Sequence, residues 1–318
     1  MNQLVRPSIQ ARHLVGRAND RRRASFAPVV IGFGIWAVGC ALLQLGWIET
    51  LFLFAPLVVV PLGLGLRRYE AASPCLNWLR PVGAGLLFPS LALEQGPVAA
   101  LLSVPWLVAT VPTAVAAARN RVVGWRSLDS DFLFDLGCVF LTIGAAGLVV
   151  QRAGLQPMGL PHVINLLFAV HYHYAGFGLS TLAGALSASR RSPRLETLAG
   201  TASISAVLLL AIAIGLAEWL APVAAVWMAA TGGTIAIMQL RHAPGFGHPV
   251  RELLLVSGVA GVLAMPLGAA YGLRALEPFA WLTIPWMASL HGTVNSFGFV
   301  LAGLVGWSLV RREDQSRA

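Results

Sequence analysis

The sequence contains no lysine, so all 22 of its basic residues are arginines. Charge of either sign is scarce, at 11% of residues, where soluble domains carry roughly 25%. That scarcity excludes an ordinary soluble enzyme. Cysteine is nearly absent too: Cys40, Cys75 and Cys138 have no C-x-x-C spacing, which signals neither a disulfide framework nor a thiolate metal site. They read as small buried hydrophobes. Segments of about ten residues with strictly alternating polarity are missing, which excludes an outer-membrane barrel. No tandem repeat and no low-complexity linker divides the chain.

What the chain does hold is hydrocarbon. Hydrophobic residues make up 57% and the mean hydropathy is +0.74. Apolar runs recur at the length of about 20 residues that crosses a hydrocarbon core of roughly 30 Å. They predict an all-α, polytopic bundle of ten spans near 28–47, 50–66, 81–94, 98–118, 132–150, 161–187, 199–220, 222–240, 252–272 and 279–310. Arginine placement orients it, because cytoplasmic loops are enriched in positive charge. With the N-terminus inside, the arm (Arg6, Arg12, Arg17, Arg21, Arg22, Arg23), the inner loops and the tail hold every arginine except Arg152 and Arg274. The predicted organisation is a cytoplasmic arm over 1–27, a transmembrane domain over 28–310 and a cytoplasmic tail over 311–318, with both termini inside a bacterial cytoplasmic (inner) membrane. The net charge of +9 is then an orientation signal and a contact with anionic lipid, which leaves nucleic acid out as a partner.

One run breaks the hydrocarbon. "HYHYAGFGLS", residues 171–180, sets two imidazoles and two phenols in span six, where lipid offers their polar atoms nothing. At 1.5 Å per residue, His171 and His173 lie about 15 to 18 Å down the span, near the midplane. Span ten, "SLHGTVNSFGFVLAGLVGW", brings His291 and Asn295 to the same depth, and buried polar groups seek each other. His162 and His173 fall about 20° apart on a helix, with Asn165 nearby, whereas His171 and His173 point about 200° apart. A straight helix therefore aims only one of that pair inward. The depth match favours His173 for the cavity, and His171 either braces a neighbour or is turned inward by a π-bulge.

Three chemistries suit these groups. Interhelical hydrogen bonding alone is one. Metal or haem ligation by His171, His173 and His291 is another, although H-x-H spacing suits a strand better than a helix; no cofactor is implied by any motif. The third is proton chemistry on a lipophilic substrate, which needs a dry site and aromatic faces for a cation. Phe168, Tyr172, Tyr174, Phe177, Trp286 and Phe297 supply such faces, with Tyr172 and Tyr174 steering or quenching the cation. Candidate acids are Glu94, between Pro89 and Pro97, and Glu49; Glu218 precedes Pro222 in a turn. In "DSDFLFDLG", the D-x-D-x-x-x-D spacing falls short of a diphosphate-Mg²⁺ motif, and Asp129 or Asp131 reads as a helix cap. Asp135, a turn deeper, is left without a role.

"AVHYHYAGF", and far downstream "HGTVNSFGF" followed by "GLVGW", resemble segments of the YndJ-like integral membrane proteins. A transporter role is sometimes attached to that family. The layout is also similar to that of small bacterial membrane-bound terpene cyclases, which lack aspartate-rich motifs and close a prenyl chain by protonation. That second resemblance maps His171, His173, His291 and Asn295 to a shared polar core and carries over no catalytic acid. The reading that follows is a membrane enzyme that cyclises or isomerises a prenylated or epoxidised terpenoid by proton transfer. His173 and His291 hold or relay the proton, Glu94 or Glu49 supplies it, and a prenyltransferase or epoxidase acts upstream. A multi-span transporter and a His-ligated metal or haem protein are the alternatives.

Overall fold

The computed structural model describes residues 26–67, 74–124, 129–189, 193–274, 276 and 280–317. Most of the predicted arm, together with Arg68, Glu70, Arg126, Arg190, Arg191 and Glu277, lies outside the described residues. No strand is present among those described. Among the described residues, ten helical rods follow one another: α1 (Ala27–Leu43), α2 (Trp47–Leu66), α3 (Pro74–Ala92), α4 (Pro97–Gly124), α5 (Ser130–Arg152), α6 (His162–His171, Tyr172–Gly178 and Leu179–Ala188), α7 (Pro193–Gly215), α8 (Ala221–His242), α9 (Val250–Leu273) and α10 (Ile284–Met287 continuing to Ala302–Arg317). Helices are what lipid permits, since each satisfies its backbone within itself.

Seven of the rods (α2, α4, α5, α7, α8, α9 and α10) are long and apolar enough to cross a membrane. α1 is apolar but 17 residues long. Arg80 and Asn77 in α3, and the histidine-tyrosine run in α6, lower the hydropathy of those two below the others. The rods coincide with the ten apolar runs, with shifts at their ends. The seventh stops at Gly215, short of 220, because Glu218–Leu220 forms a separate 3-10 turn before Pro222.

Three rods form the centre. α2, α6 and α10 pack on one another, and each contains a π-helical segment: Ala55–Val59, Tyr172–Gly178, and Ala288–Gly292 with Val294–Leu301. A π turn closes on the fifth residue instead of the fourth and releases carbonyls to outside partners, which is why such turns gather at functional sites. In α2, Pro56 has no N–H to give and the Ala55 N–H turns to Phe52 O. The Leu51 carbonyl then accepts from the Tyr174 hydroxyl at 2.7 Å, and the Thr50 carbonyl from Trp36 Nε1 at 2.9 Å. Across α9 and α10, Ser257 Oγ donates to Phe299 O at 2.6 Å. Thr50 to Val60 are buried without interruption, so α2 is apolar all round as a fully enclosed helix must be.

The base of the bundle, where the even-numbered helices finish, is tied by polar side chains. Arg67 at the end of α2 pairs with Asp135 in α5, which gives the deep aspartate its role. Glu196 of α7 meets His242 of α8 at 2.7 Å, and Arg311 donates to Gly65 O at 2.9 Å. Asp129 caps α5 by accepting from Phe132 N at 2.9 Å, as its position predicts.

Candidate functional site

His171 ends the regular part of α6 and His173 lies inside the π segment that follows. The helix therefore holds a π distortion at the place where the sequence left one open as a way to turn an imidazole. His173 is completely buried, and its Nδ1 lies 2.8 Å from Ala169 O. A carbonyl only accepts, so Nδ1 carries the hydrogen and Nε2 keeps the lone pair. That lone pair accepts from Trp106 Nε1 of α4 at 3.1 Å. Phe52 packs on the ring with centroids 4.9 Å apart. α5 comes this close because Gly144 has no side chain: a Cβ there would sit 2.9 Å from His173 Nδ1. With both nitrogens engaged, His173 is held as the Nδ1–H tautomer between α4 and its own helix.

His291 is fixed by the same logic. Its Nδ1 donates to Ala264 O of α9 at 2.9 Å, so Nε2 is an acceptor and takes a hydrogen from Asn295 Nδ2 at 2.9 Å. Gly268 makes room for the ring, since a Cβ there would lie 3.1 Å from His291 Cε1. The amide orientation of Asn295 follows: its nitrogen faces His291 and its oxygen faces away. That Oδ1 is buried and makes no hydrogen bond among the described residues.

His171 completes the group. Its Nδ1 donates to Leu167 O at 2.7 Å, and the ring lies within electrostatic range of His291. It is only partly buried, and its Nε2 makes no hydrogen bond among the described residues. Of the three imidazoles, it is the one that keeps a ring nitrogen for other work. Tyr271 shares the face of α9 that carries Ala264 and Gly268, three and four residues apart, and its buried hydroxyl also lacks a partner among the described residues. Arg274 lies over the Tyr271 ring at 3.8 Å.

The other expected residues separate into packing, loop ties and surface. Tyr174 is spent on Leu51 O, with Ser296 as its other partner. Tyr172 packs between Phe168 at 4.4 Å and Phe140 at 5.6 Å. Phe297 joins Trp36 and Phe54 at 5.7 and 4.6 Å, while Phe177 is buried over Gly63. Asn165 ties its own loop by donating to Leu160 O at 3.3 Å, and His162 sits beside it at the start of α6. Trp286 is exposed. Glu94 is also exposed, on the turn where α3 ends. Glu49 is partly buried near Arg152, whose guanidinium donates to Leu93 O at the opposite end of the bundle from Asp135.

Trp106, Ala264, Gly268, Tyr271 and Ser296 were missed. A glycine two residues after Pro266 in an apolar helix was the one signal in the sequence, since it marks a place where another helix or ring comes close. No group of three or more His, Cys, Asp or Glu side chains is arranged to hold a metal ion among the described residues. The lone pairs of His173 and His291 that would ligate one are already taken.

Residues 50–299 match the family model described as YndJ-like protein. The chain belongs to the YndJ-like family. Among curated relatives, the "Uncharacterized membrane protein YndJ" of Bacillus subtilis (strain 168) is 27% identical over 239 residues, covering 72% of this chain and 41% of that protein. The chain thus spans less than half of that relative's length. No solved structure matches. The family match begins in α2 and ends in α10, so it reaches all three π-containing helices and includes the histidine-asparagine group in this YndJ-like chain. The chain is a multi-pass helical membrane protein.

Proposed function

We propose that this YndJ-like protein is an inner-membrane enzyme of ten spans, with both termini cytoplasmic, that cyclises or isomerises a prenylated or epoxidised terpenoid by proton transfer. The observation that carries the reading is that His171, alone among His171, His173 and His291, keeps an unengaged Nε2, within electrostatic range of His291, which Asn295 and Ala264 hold fixed. One group then serves as acid and base, in place of Glu94 or Glu49. With an epoxide, imidazolium Nε2–H gives its proton to the epoxide oxygen as the C–O bond breaks. The alkene electrons close the ring and leave a carbocation. Neutral His171 then takes a proton from the adjacent carbon, forming the product alkene and restoring the imidazolium. Atoms balance, and the product has the mass of the substrate. Such acid-base assistance contributes about 10²- to 10⁴-fold, and the partly buried ring of Phe168, three residues before His171 on α6, is the aromatic group for the cation.

The test is incubation of membranes containing the full chain with epoxidised and unmodified prenyl substrates, followed by a search for isomers of unchanged mass. Isomer formation that His171→Gln lowers at least 100-fold supports the reading. Turnover that His171→Gln leaves intact, or no turnover across the panel, overturns it.

A further inference from the structure

Three features of the His291 group fit together as a recognition device. Ala264 O forces the hydrogen onto His291 Nδ1, the bare Nε2 forces the Asn295 nitrogen toward it, and Asn295 Oδ1 is thereby turned away as a buried acceptor without a hydrogen. The amide cannot flip to relieve this, because its oxygen would then meet the His291 lone pair. His171 Nε2, within electrostatic range of His291, is a second acceptor in its neutral form. A buried acceptor left unpaired is costly, and protein groups pay that cost chiefly where a ligand or an ordered water relieves it.

We infer that Asn295 Oδ1 is the recognition point for a hydroxyl group, so that the site takes a lipophilic alcohol whose O–H donates to it. The inference rests on the reading of this group as a ligand site and adds the ligand's polar chemistry. An ether, an ester oxygen or a bare alkene brings no hydrogen and leaves the acceptor unpaired. In the epoxide chemistry above, the oxygen becomes an O–H donor only as the C–O bond breaks, so Asn295 Oδ1 favours the developing alcohol over the starting epoxide. Such differential binding accelerates a reaction. The Tyr271 hydroxyl, on the face of α9 that holds His291, is a further polar group without a partner among the described residues.

The experiment measures binding, separately from turnover. Purified full-length protein in lipid nanodiscs is titrated with farnesol and with farnesyl methyl ether, followed by tryptophan fluorescence. The wild type is expected to bind the alcohol about tenfold more tightly, the effect of one net hydrogen bond. Asn295→Leu should bring the ratio to about one by weakening the alcohol alone. Equal binding of alcohol and ether by the wild type overturns the proposal and means that a water fills the site; the wild-type ratio decides this even if the variant fails to fold. Discrimination without isomer formation keeps the alcohol site and sinks the enzyme reading. Isomer formation without discrimination does the opposite, and no saturable binding of either compound overturns both.

Discussion

Two histidines separated by one tyrosine have opposite fates in this protein, and the difference lies in what their Nε2 atoms meet. His173 Nε2 meets Trp106, whereas His171 Nε2 makes no hydrogen bond among the described residues. Substitution should separate them cleanly. His173→Ala leaves the buried Trp106 N–H without an acceptor and opens a cavity, so unfolding in mild detergent should show a loss of at least the ~1–3 kcal/mol expected for an unsatisfied buried donor. His171→Gln should leave that midpoint unchanged within error. An unaffected His173→Ala protein would contradict the structural assignment. Asp135 belongs to the same scale. Removing one member of a buried ion pair costs about 3–5 kcal/mol, so Asp135→Ala should destabilise strongly, and a paired apolar replacement of Arg67 and Asp135 should recover most of the loss.

Among the elements, α2, α6 and α10 depart from regular helix together. The Pro56 distortion in α2 presents Leu51 O, and the hydroxyl of Tyr174 on α6 donates to it. The two are therefore coupled. Tyr174→Phe should cost about 1 kcal/mol, the scale of an interhelical hydrogen bond in a membrane. In a Pro56→Ala background, where a restored N–H lets α2 close its own ladder, the same substitution should cost less, and a double-mutant cycle measures the difference. Additive losses would mean that the Leu51 carbonyl is presented for another reason. The period of these helices could not be read from the sequence, because π turns are set by packing: only Pro56 marks one locally, and α6 and α10 carry no proline within theirs.

For the molecule as a whole, the arrangement across the membrane is open to direct measurement. In a background lacking Cys40, Cys75 and Cys138, single cysteines at the exposed positions Leu155, Trp219 and Gly247 report on three turns. Under the ten-span topology with an inner N-terminus, Leu155→Cys and Trp219→Cys should react with an impermeant maleimide in intact cells, and Gly247→Cys only after permeabilisation. Labelling of Gly247→Cys in intact cells would invert or recount the spans. Under that proposed topology, Glu196–His242 and Arg67–Asp135 would lie at the cytoplasmic end and Glu49 with Arg152 at the outer one.

The sequence by itself determined the class, the helix positions and the family, because these depend on local quantities: the length of apolar runs, the prolines and turns between them, and the residues of two short segments. It also determined that polar groups from α6 and α10 share a depth, since depth follows from counting residues. Tertiary structure alone decided which nitrogen of which histidine is free. That depends on Trp106, Ala264 and Asn295, and the first two come from helices far away in the chain, arriving at angles that no helical wheel contains. The orphaned Asn295 oxygen follows from those contacts and was invisible before them. Helical spacing separated His171 from His173; the Trp106 hydrogen bond, which spacing could not show, is what engages the second ring nitrogen of His173 and not of His171.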